Sequence, residues 1–346
     1  MSTGREIVNH ASIPAWDALL RPHPEASIFH TSGWAETLSE SYGYTQKNVV
    51  AMEGANLKIF IPLMEVKSAL TGIRAVSLPF SDYCDPVIRD GVPFPEVMNH
   101  LIEEGKRAGW RTIELRSSKP LLEDAPPSAT HLRHILTLST DEARLFSGIR
   151  NSAQRNIRKA EKEGVRTAIS GTSGAVREFY RLNCLTRRDH GLPPQPFLFF
   201  RNLHRNLLEK NRGFVVLASY KGTCIAGGLF LHFGDKGFYK YGASDRKFQS
   251  LRANNLVMWE AIRWFSRNGF RSFCFGRTER GNEGLMQFKS GWGAEESVLR
   301  YYKYDLRKNG YIVDRSLVTG LHNRVFRILP IPLSKVIGAA LYRHMG

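Results

Sequence analysis

Gly269-Phe270-Arg271-Ser272-Phe273-Cys274-Phe275-Gly276-Arg277-Thr278-Glu279-Arg280-Gly281-Asn282-Glu283-Gly284-Leu285-Met286-Gln287-Phe288-Lys289-Ser290-Gly291-Trp292-Gly293 is the stretch on which the fold turns. Aromatics recur from Phe270 to Phe275, which predicts a short strand ending at Gly276-Arg277. A glycine-punctuated loop follows, and a short helix then carries Phe288 and Lys289 into Gly291-Trp292-Gly293. Glycines at a strand end let backbone approach a ligand, and a lysine beside such a cleft can stabilise developing negative charge. The same residues also read as plain turns with a solvated lysine, and the spacing alone leaves both readings open.

Upstream, Asn254–Asn268 has helical periodicity, with Leu256, Trp259, Ile262 and Trp264 on or near its buried side, and closes on Gly269. Before it, Phe214–Tyr220, Cys224–Phe233 and Gly237–Tyr241 read as a three-strand meander, followed by the polar loop Gly242-Ala243-Ser244-Asp245. The first half has the same order. Trp34–Tyr44 predicts a helix, then come strands at Asn48–Ala51, Lys58–Val66 and Ile73–Pro79, the polar loop Ser81–Asp85, a helix over Phe94–Ala108 and a strand over Arg111–Leu115. The junction Arg107-Ala108-Gly109-Trp110-Arg111-Thr112-Ile113 resembles Arg267-Asn268-Gly269-Phe270-Arg271-Ser272-Phe273, so the chain reads as two copies of one α/β unit. The boundaries read as 1–148, a basic helix over 149–164, a second unit over 165–306 and a basic apolar tail over 307–346.

At 346 residues, 42% hydrophobic and 23% charged, the composition is that of an ordered two-domain or bilobal protein. The net charge of +17 favours a polyanionic partner, whether nucleic acid, a pyrophosphate or an anionic membrane. Four scattered cysteines, with no Cys-x-x-Cys pair, argue against a zinc site or a disulfide framework, so no metal is expected. The absence of a signal-like start and of a long apolar run points to a cytoplasmic protein, peripheral at most to the inner membrane face. Positive charge peaks in Arg150–Lys162, a helix ending at Gly164, where Arg150, Arg155, Arg158 and Lys159 form either a polyanion-binding stripe or a solvated face.

Set in order, Arg155-Asn156-Ile157-Arg158-Lys159-Ala160-Glu161-Lys162-Glu163-Gly164, Thr186-Arg187-Arg188-Asp189-His190-Gly191, Tyr241-Gly242-Ala243-Ser244, Phe275-Gly276-Arg277 and Phe288-Lys289-Ser290-Gly291-Trp292-Gly293 resemble the FemAB-type transferases, most nearly their BioF2-like acetyltransferase-domain branch. The resemblance spans roughly Phe29 to Tyr304. It implies an α/β (α+β) fold of two tandem GNAT-like units, with mixed, mostly antiparallel sheets flanked by helices. It also implies transfer of an acyl or aminoacyl group to an amine of a cell-envelope, polysaccharide or lipid-linked precursor. No permanently bound cofactor is implied; the donor would be acyl-CoA, an acyl carrier or an aminoacyl-tRNA, so tRNA joins the candidate partners.

By the same resemblance Lys289 would meet the oxyanion of the tetrahedral intermediate, and Phe288 would shape the acyl pocket. Arg188 would grip a phosphate or carboxylate near the acceptor, and Arg277 an anionic group at the strand end. Tyr239 and Tyr241 would line the acceptor groove, though alternating aromatics on a strand equally suit a core, and Trp292 would contact the substrate. Asp82, Asp245 and Glu283 are candidates for assisting the amine, none singled out by its spacing, and each equally suits a turn or cap. Three departures stand out: Cys274 replaces an aspartate, Gln249-Ser250-Leu251-Arg252-Ala253-Asn254 lacks the glycines of a pyrophosphate loop, and the early helix brings no lysine to a sugar-nucleotide phosphate.

Two rivals remain: a conventional acyl-CoA-dependent GNAT N-acetyltransferase, and a non-catalytic basic module for RNA or anionic membrane. No Gly-x-Ser-x-Gly elbow or His-Glu-x-x-His helix is present, and Cys184 with His190 lacks an oxyanion loop. The tail from Asn323 to His344 mixes apolar and basic residues, which suits either an anionic membrane surface or a cap on the second unit.

Overall fold

The computed structural model describes residues 6–8, 13, 15–89, 92–122, 125–313 and 326–346. Two compact units emerge, one formed by residues 1–132, 298–316 and 341–346, the other by 133–297 and 317–340. These units are discontinuous, whereas the sequence reading cut the chain at 148, 164 and 306. The physical reason is two long strands, Ala129–Thr137 and Glu295–Asp305, whose halves belong to different units.

In the first unit, helix α1 (Ser32–Tyr42) begins at Thr31, whose side chain accepts from the Trp34 amide, and stops at Gly43 with φ +74. Strands β1 (Asn48–Glu53) and β2 (Asn56–Ile61) form an antiparallel hairpin around the turn read at 53–56. The run read as one strand over Lys58–Val66 is broken: β3 (Met64–Ser68) leaves that hairpin and pairs antiparallel with β4 (Gly72–Val76). Helix α2 (Phe94–Arg107) then crosses to β5 (Thr112–Ser117), which runs parallel to β4 through three residue pairs. Val97, Met98, Leu101, Trp110 and Ile113 fill its core. Gly105 is required there, since a Cβ would meet a Leu306 methyl at 2.9 Å and the Trp110 ring at 3.0 Å.

The second unit starts in the latter half of β6 (Ala129–Thr137) and continues through α3 (Glu142–Gly148), α4 (Asn151–Lys162), β7 (Arg166–Ser170), α5 (Ser173–Asp189) and α6 (Phe197–Leu203). The predicted meander follows as β8 (Gly213–Tyr220), β9 (Thr223–Phe233) and β10 (Lys236–Ser244), antiparallel throughout. Gly242–Ser244, read as loop, belongs to β10 and pairs with Ala226–Gly228. Helix α7 (Ala253–Arg267) returns to β11 (Ser272–Thr278), parallel to β10, and α8 (Glu283–Ser290) completes the stretch that opened the reading. Leu256, Trp259, Ile262 and Phe265 of α7 pack on Phe214, Phe230 and Phe273 of the sheet. The last elements are β12 (Glu295–Asp305), whose first residues belong here, and α9 (Ile331–Tyr342), whose residues through Ala340 do.

The internal repeat is visible at the two junctions compared in sequence. Gly109 has φ +69 and donates to the Lys106 carbonyl (3.2 Å); Gly269 has φ +76 and donates to that of Ser266 (3.1 Å). The next amides, Trp110 and Phe270, reach back to Gly105 (2.9 Å) and Phe265 (3.1 Å). Each helix therefore ends in the same glycine-dependent cap and feeds a parallel strand. The fold is mixed α/β, with largely antiparallel sheets flanked by helices.

Candidate active site

Strands β10 and β11 pair only at Lys236–Phe238 with Ser272–Cys274. Beyond those three pairs their hydrogen bonding stops, and a cavity of about 740 Å³ lies in the second unit beside the far half of β10. Its walls are Tyr239 and Gly242–Asp245, the start of α7 (Arg252–Asn255), the start of α4 (Arg150, Ser152, Ala153, Asn156) and Gly284, Leu285, Gln287 and Phe288 of α8. Thr186 and His190 of the α5 end complete it.

Two helix N-termini open on this cavity, and neither has a capping side chain. Helix α4 starts at Arg150, whose own amide donates to the Gly291 carbonyl (2.8 Å). Helix α7 starts at Arg252, which holds φ +59 where the usual loop relies on glycine. The left-handed turn is thus retained without glycine, at a cost of roughly 1–2 kcal/mol for a side-chain-bearing residue. First-turn amides with no side-chain cap present partial positive charge, and Arg150 and Arg252 add full charges beside them.

The shape of β10 decides which aromatic faces the cavity. Leu229 pairs with Tyr241 and Phe230 with Tyr239, so Lys240 is an extra residue in a β-bulge. The bulge turns consecutive tyrosines to opposite faces. Tyr239 packs on Phe230 (5.4 Å) and lines the cavity, its pKa pushed up to about 12 by burial. Tyr241 packs instead on Phe199 (6.2 Å) and Phe200 (5.7 Å), with the Lys240 ammonium over its ring. Gly242 is required for this arrangement, because an added Cβ would lie 1.7 Å from the Tyr239 hydroxyl. Thr186 pins the strand end: its hydroxyl donates to the Ser244 carbonyl (3.1 Å) and accepts from the Ser244 amide (2.9 Å).

Phe288 and Lys289 point different ways. Phe288 lines the cavity and meets Trp292 edge-on (5.8 Å). Lys289 is 2% exposed, and its Nζ donates to the carbonyls of Gly276 and Arg277, each at 3.0 Å. Gly276, at φ +71, turns the strand end toward that ammonium. The cationic group is part of the wall's support and does not stand among the cavity-lining residues. Its field and, more strongly, burial lower the pKa of His134, against the pull of Glu296 at 3.4 Å.

The Gly-Trp-Gly run seats α4. Gly291 supplies the acceptor for Arg150, and Gly293, at φ +73, lies so close to the Gly148 carbonyl that a Cβ would stand 2.9 Å from it. Trp292 is in the core, stacked on Phe275 (6.3 Å), away from the cavity wall. Arg277 is exposed and pairs with Glu279 (3.1 Å). Asp245 lines the cavity as the cap that accepts from the Lys247 amide (3.0 Å). Asp82 belongs to the first unit, where its carbonyl accepts from the Tyr301 hydroxyl (2.6 Å). Arg155, Arg158 and Lys159 are on the exposed face of α4, Arg158 over the Phe146 ring, with Ala153, Ile157 and Ala160 buried behind them.

Arg188 is half-buried in the last turn of α5 and is not among the lining residues; Thr186 and His190, four apart, are. That i, i+4 spacing puts both on one helix face, a signal present in the sequence but not used there. Desolvation first, and the Arg187 guanidinium next, hold the His190 pKa below its ordinary value, with Asp189 opposing.

Residues 147–290 match a family profile described as an acetyltransferase (GNAT) domain. The crystal structure of FemX superposes with a TM-score of 0.66 at 15% identity, over 88% of this chain and 98% of that one. A tandem GNAT protein from the clavulanic acid biosynthesis pathway gives a TM-score of 0.57 at 10% identity, over 88% and 99%. In sequence, a lipid II:glycine glycyltransferase of Staphylococcus haemolyticus (strain JCSC1435) is 28% identical over 78 residues, 21% of this chain and 19% of the relative. The chain thus matches about a fifth of the length of that curated relative. The fold is that of the tandem GNAT proteins, and residues 147–290 are similar to a GNAT acetyltransferase domain.

Proposed function

We propose that the protein is an N-acyl- or aminoacyltransferase whose phosphorylated donor enters the second-unit cavity and whose acceptor is an amine of a cell-envelope, polysaccharide or lipid-linked precursor. The observation that carries this reading is the cavity beside the far half of β10, flanked by two helix N-termini without side-chain caps and two arginines. Acyl-CoA, acyl-carrier and aminoacyl-tRNA donors all carry a phosphodiester or pyrophosphate as well as a reactive ester or thioester, and such amides suit the phosphate. The relatives named for lipid II glycyl transfer favour a lipid-linked amine and an aminoacyl donor. The GNAT domain keeps acyl-CoA open as the donor.

In the transfer, the acceptor nitrogen attacks the donor carbonyl carbon; the C–N bond forms, the C–O or C–S bond breaks, and the amine proton passes to a base while the leaving oxygen or sulfur is reprotonated. Phe288 forms the wall beside the acyl group. His190, its pKa held below the ordinary value, is the imidazole on the lining and the candidate base. Lys289 acts as a positioning residue, holding the Gly276–Arg277 carbonyls and so the strand end that carries the wall.

The test is transfer from acetyl-CoA, an acyl carrier protein and aminoacyl-tRNAs to a panel of amines, with wild-type protein and Gly242→Leu. One donor should support turnover, and Gly242→Leu should lose at least a hundredfold in kcat/KM by driving a side chain into the Tyr239 hydroxyl. Equal turnover by the variant would reject the cavity as the donor site. RNA or vesicle binding without turnover of any donor would favour a non-catalytic basic module.

A further inference from the structure

Helix α9 exposes aliphatic side chains that a surface helix ordinarily buries. Ser334 and Gly338 face inward, and Gly338 lies so close to the Pro194 carbonyl that a Cβ would stand 2.1 Å from it. The outward arc carries aliphatic residues: Leu333 is 48% exposed and Val336 68%, with Pro332, Ala339 and Ala340 beside them. Ile328, just before the helix, is 83% exposed. Tyr342 is buried as well, and Ile331, Ile337 and Leu341 are half-buried, so the helix carries apolar residues outside in addition to those that face the protein, beyond the single apolar stripe of a surface helix.

Charge identifies what covers this face. No aspartate or glutamate follows Asp314, whereas Arg315, Arg324, Arg327, Lys335 and Arg343 do. The described cations Arg327, Lys335 and Arg343 are all exposed, and Lys335 extends over the Tyr180 ring (5.1 Å) at the border of the apolar arc. A second copy of a chain carrying +17 would bring like charges together around the contact, which opposes self-association. An anionic bilayer meets both halves of the surface, taking the aliphatic arc into the headgroup boundary and the cations to lipid phosphates. Among the described residues no helix is long and apolar enough to cross a membrane, which leaves α9 to lie in the plane of the surface.

We infer that Ile328, Leu333 and Val336, rimmed by Arg327 and Lys335, form an interfacial membrane-docking face for an anionic lipid bilayer. The inference stands apart from the transfer reading, because docking is measured without turnover. Purified protein is sedimented with vesicles of equal phosphatidylcholine and phosphatidylglycerol and with vesicles of phosphatidylcholine alone, at about 0.1 M salt. The wild type should partition at least tenfold more strongly to the anionic vesicles, and raising salt to about 0.5 M should weaken it. Leu333→Asp with Val336→Asp should lose at least tenfold, as should Arg327→Glu with Lys335→Glu, each with an unchanged circular-dichroism spectrum. Transfer to a water-soluble amine should be the same in Leu333→Asp with Val336→Asp as in the wild type, separating failure of docking from failure of the transferase reading. Absence of vesicle binding, binding untouched by both pairs, or a wild-type dimer in sedimentation velocity that Leu333→Asp with Val336→Asp dissociates would overturn the inference.

Discussion

The two units share a helix, a left-handed glycine cap and a parallel strand, yet they spend the divergence of their parallel strands differently. In the first unit, β4 ends at Val76 and the loop after it is filled by its own protein. Trp34 Nε1 donates to Ser81 Oγ (3.0 Å), Arg116 donates to the Ser81 carbonyl (3.1 Å), and buried Asp85 accepts from Ser117 Oγ (2.7 Å), the Ser118 amide (2.6 Å) and Ser118 Oγ (2.6 Å). In the second unit the equivalent strand runs on from Tyr239 to Ser244 beside an open cavity, with two helix starts whose amides have no side-chain cap. The loop of one copy is closed by its own hydrogen bonds; on our reading the other copy leaves its helix starts uncapped by side chains for a ligand. Duplicated folds separate stability from function in this way, since buried polar groups need partners and only a site can leave that need to its substrate.

The largest effect that sharpens this contrast is expected at Lys289. Lys289→Ala removes an ammonium from two backbone carbonyls in the core, where charge-assisted hydrogen bonds contribute about 1.5–3 kcal/mol. Turnover should fall about a hundredfold, and the melting temperature should drop by several degrees, with Lys289→Arg regaining part of the stability. Lost turnover with an unchanged melting temperature would mean that the ammonium acts on the substrate itself and that its packed position is not the working one. The mirror experiment in the first unit is Asp85→Asn. It should destabilise the protein by about 1–3 kcal/mol in denaturant titration and leave kcat/KM for the second-unit reaction unaltered; a change in kcat/KM with stability preserved would break the division of labour.

His190→Gln is the smallest effect of the series. The folded imidazole has a lowered pKa, so its neutral, proton-accepting form prevails at pH 7 and is lost only as pH falls through that lowered value. An attacking α-amine, with a pKa of about 8, is already partly neutral near pH 7. The glutamine variant should therefore lose only about tenfold in kcat, with the acid limb of its pH–rate profile flattened. An acid limb unchanged in His190→Gln would assign that titration to another group.

Much of this was legible in the chain because its punctuation is local chemistry. Gly43, Gly109, Gly164 and Gly269 adopt positive φ where the helices were read to end, since only the residue at the cap decides it. The repeated junction and the meander were legible for the same reason. What escaped the reading depends on register and distant partners. Tyr239 and Tyr241 were read together at the groove, but an unmarked bulge at Lys240 leaves only Tyr239 on the cavity wall. Trp292 was assigned to substrate, but its place is set by Phe275, and the flanking glycines serve the approach of residues 148–150. Lys289 faces the backbone of Gly276 and Arg277 because Gly276 adopts φ +71, which no spacing rule announces. Residues 133–148 and 298–316 changed units because long continuous strands carry no composition break where one core ends and the next begins.

Hydrogen–deuterium exchange of the wild-type protein, with and without the donor that supports turnover, tests the central claim most directly. The account predicts that donor slows exchange at the first-turn amides of α4 and α7, at Asn151–Ala153 and Ala253–Asn255, together with Gly242–Ser244, while residues 77–85 of the first unit exchange as before. Protection confined to the first unit, or none at either helix start, would contradict it.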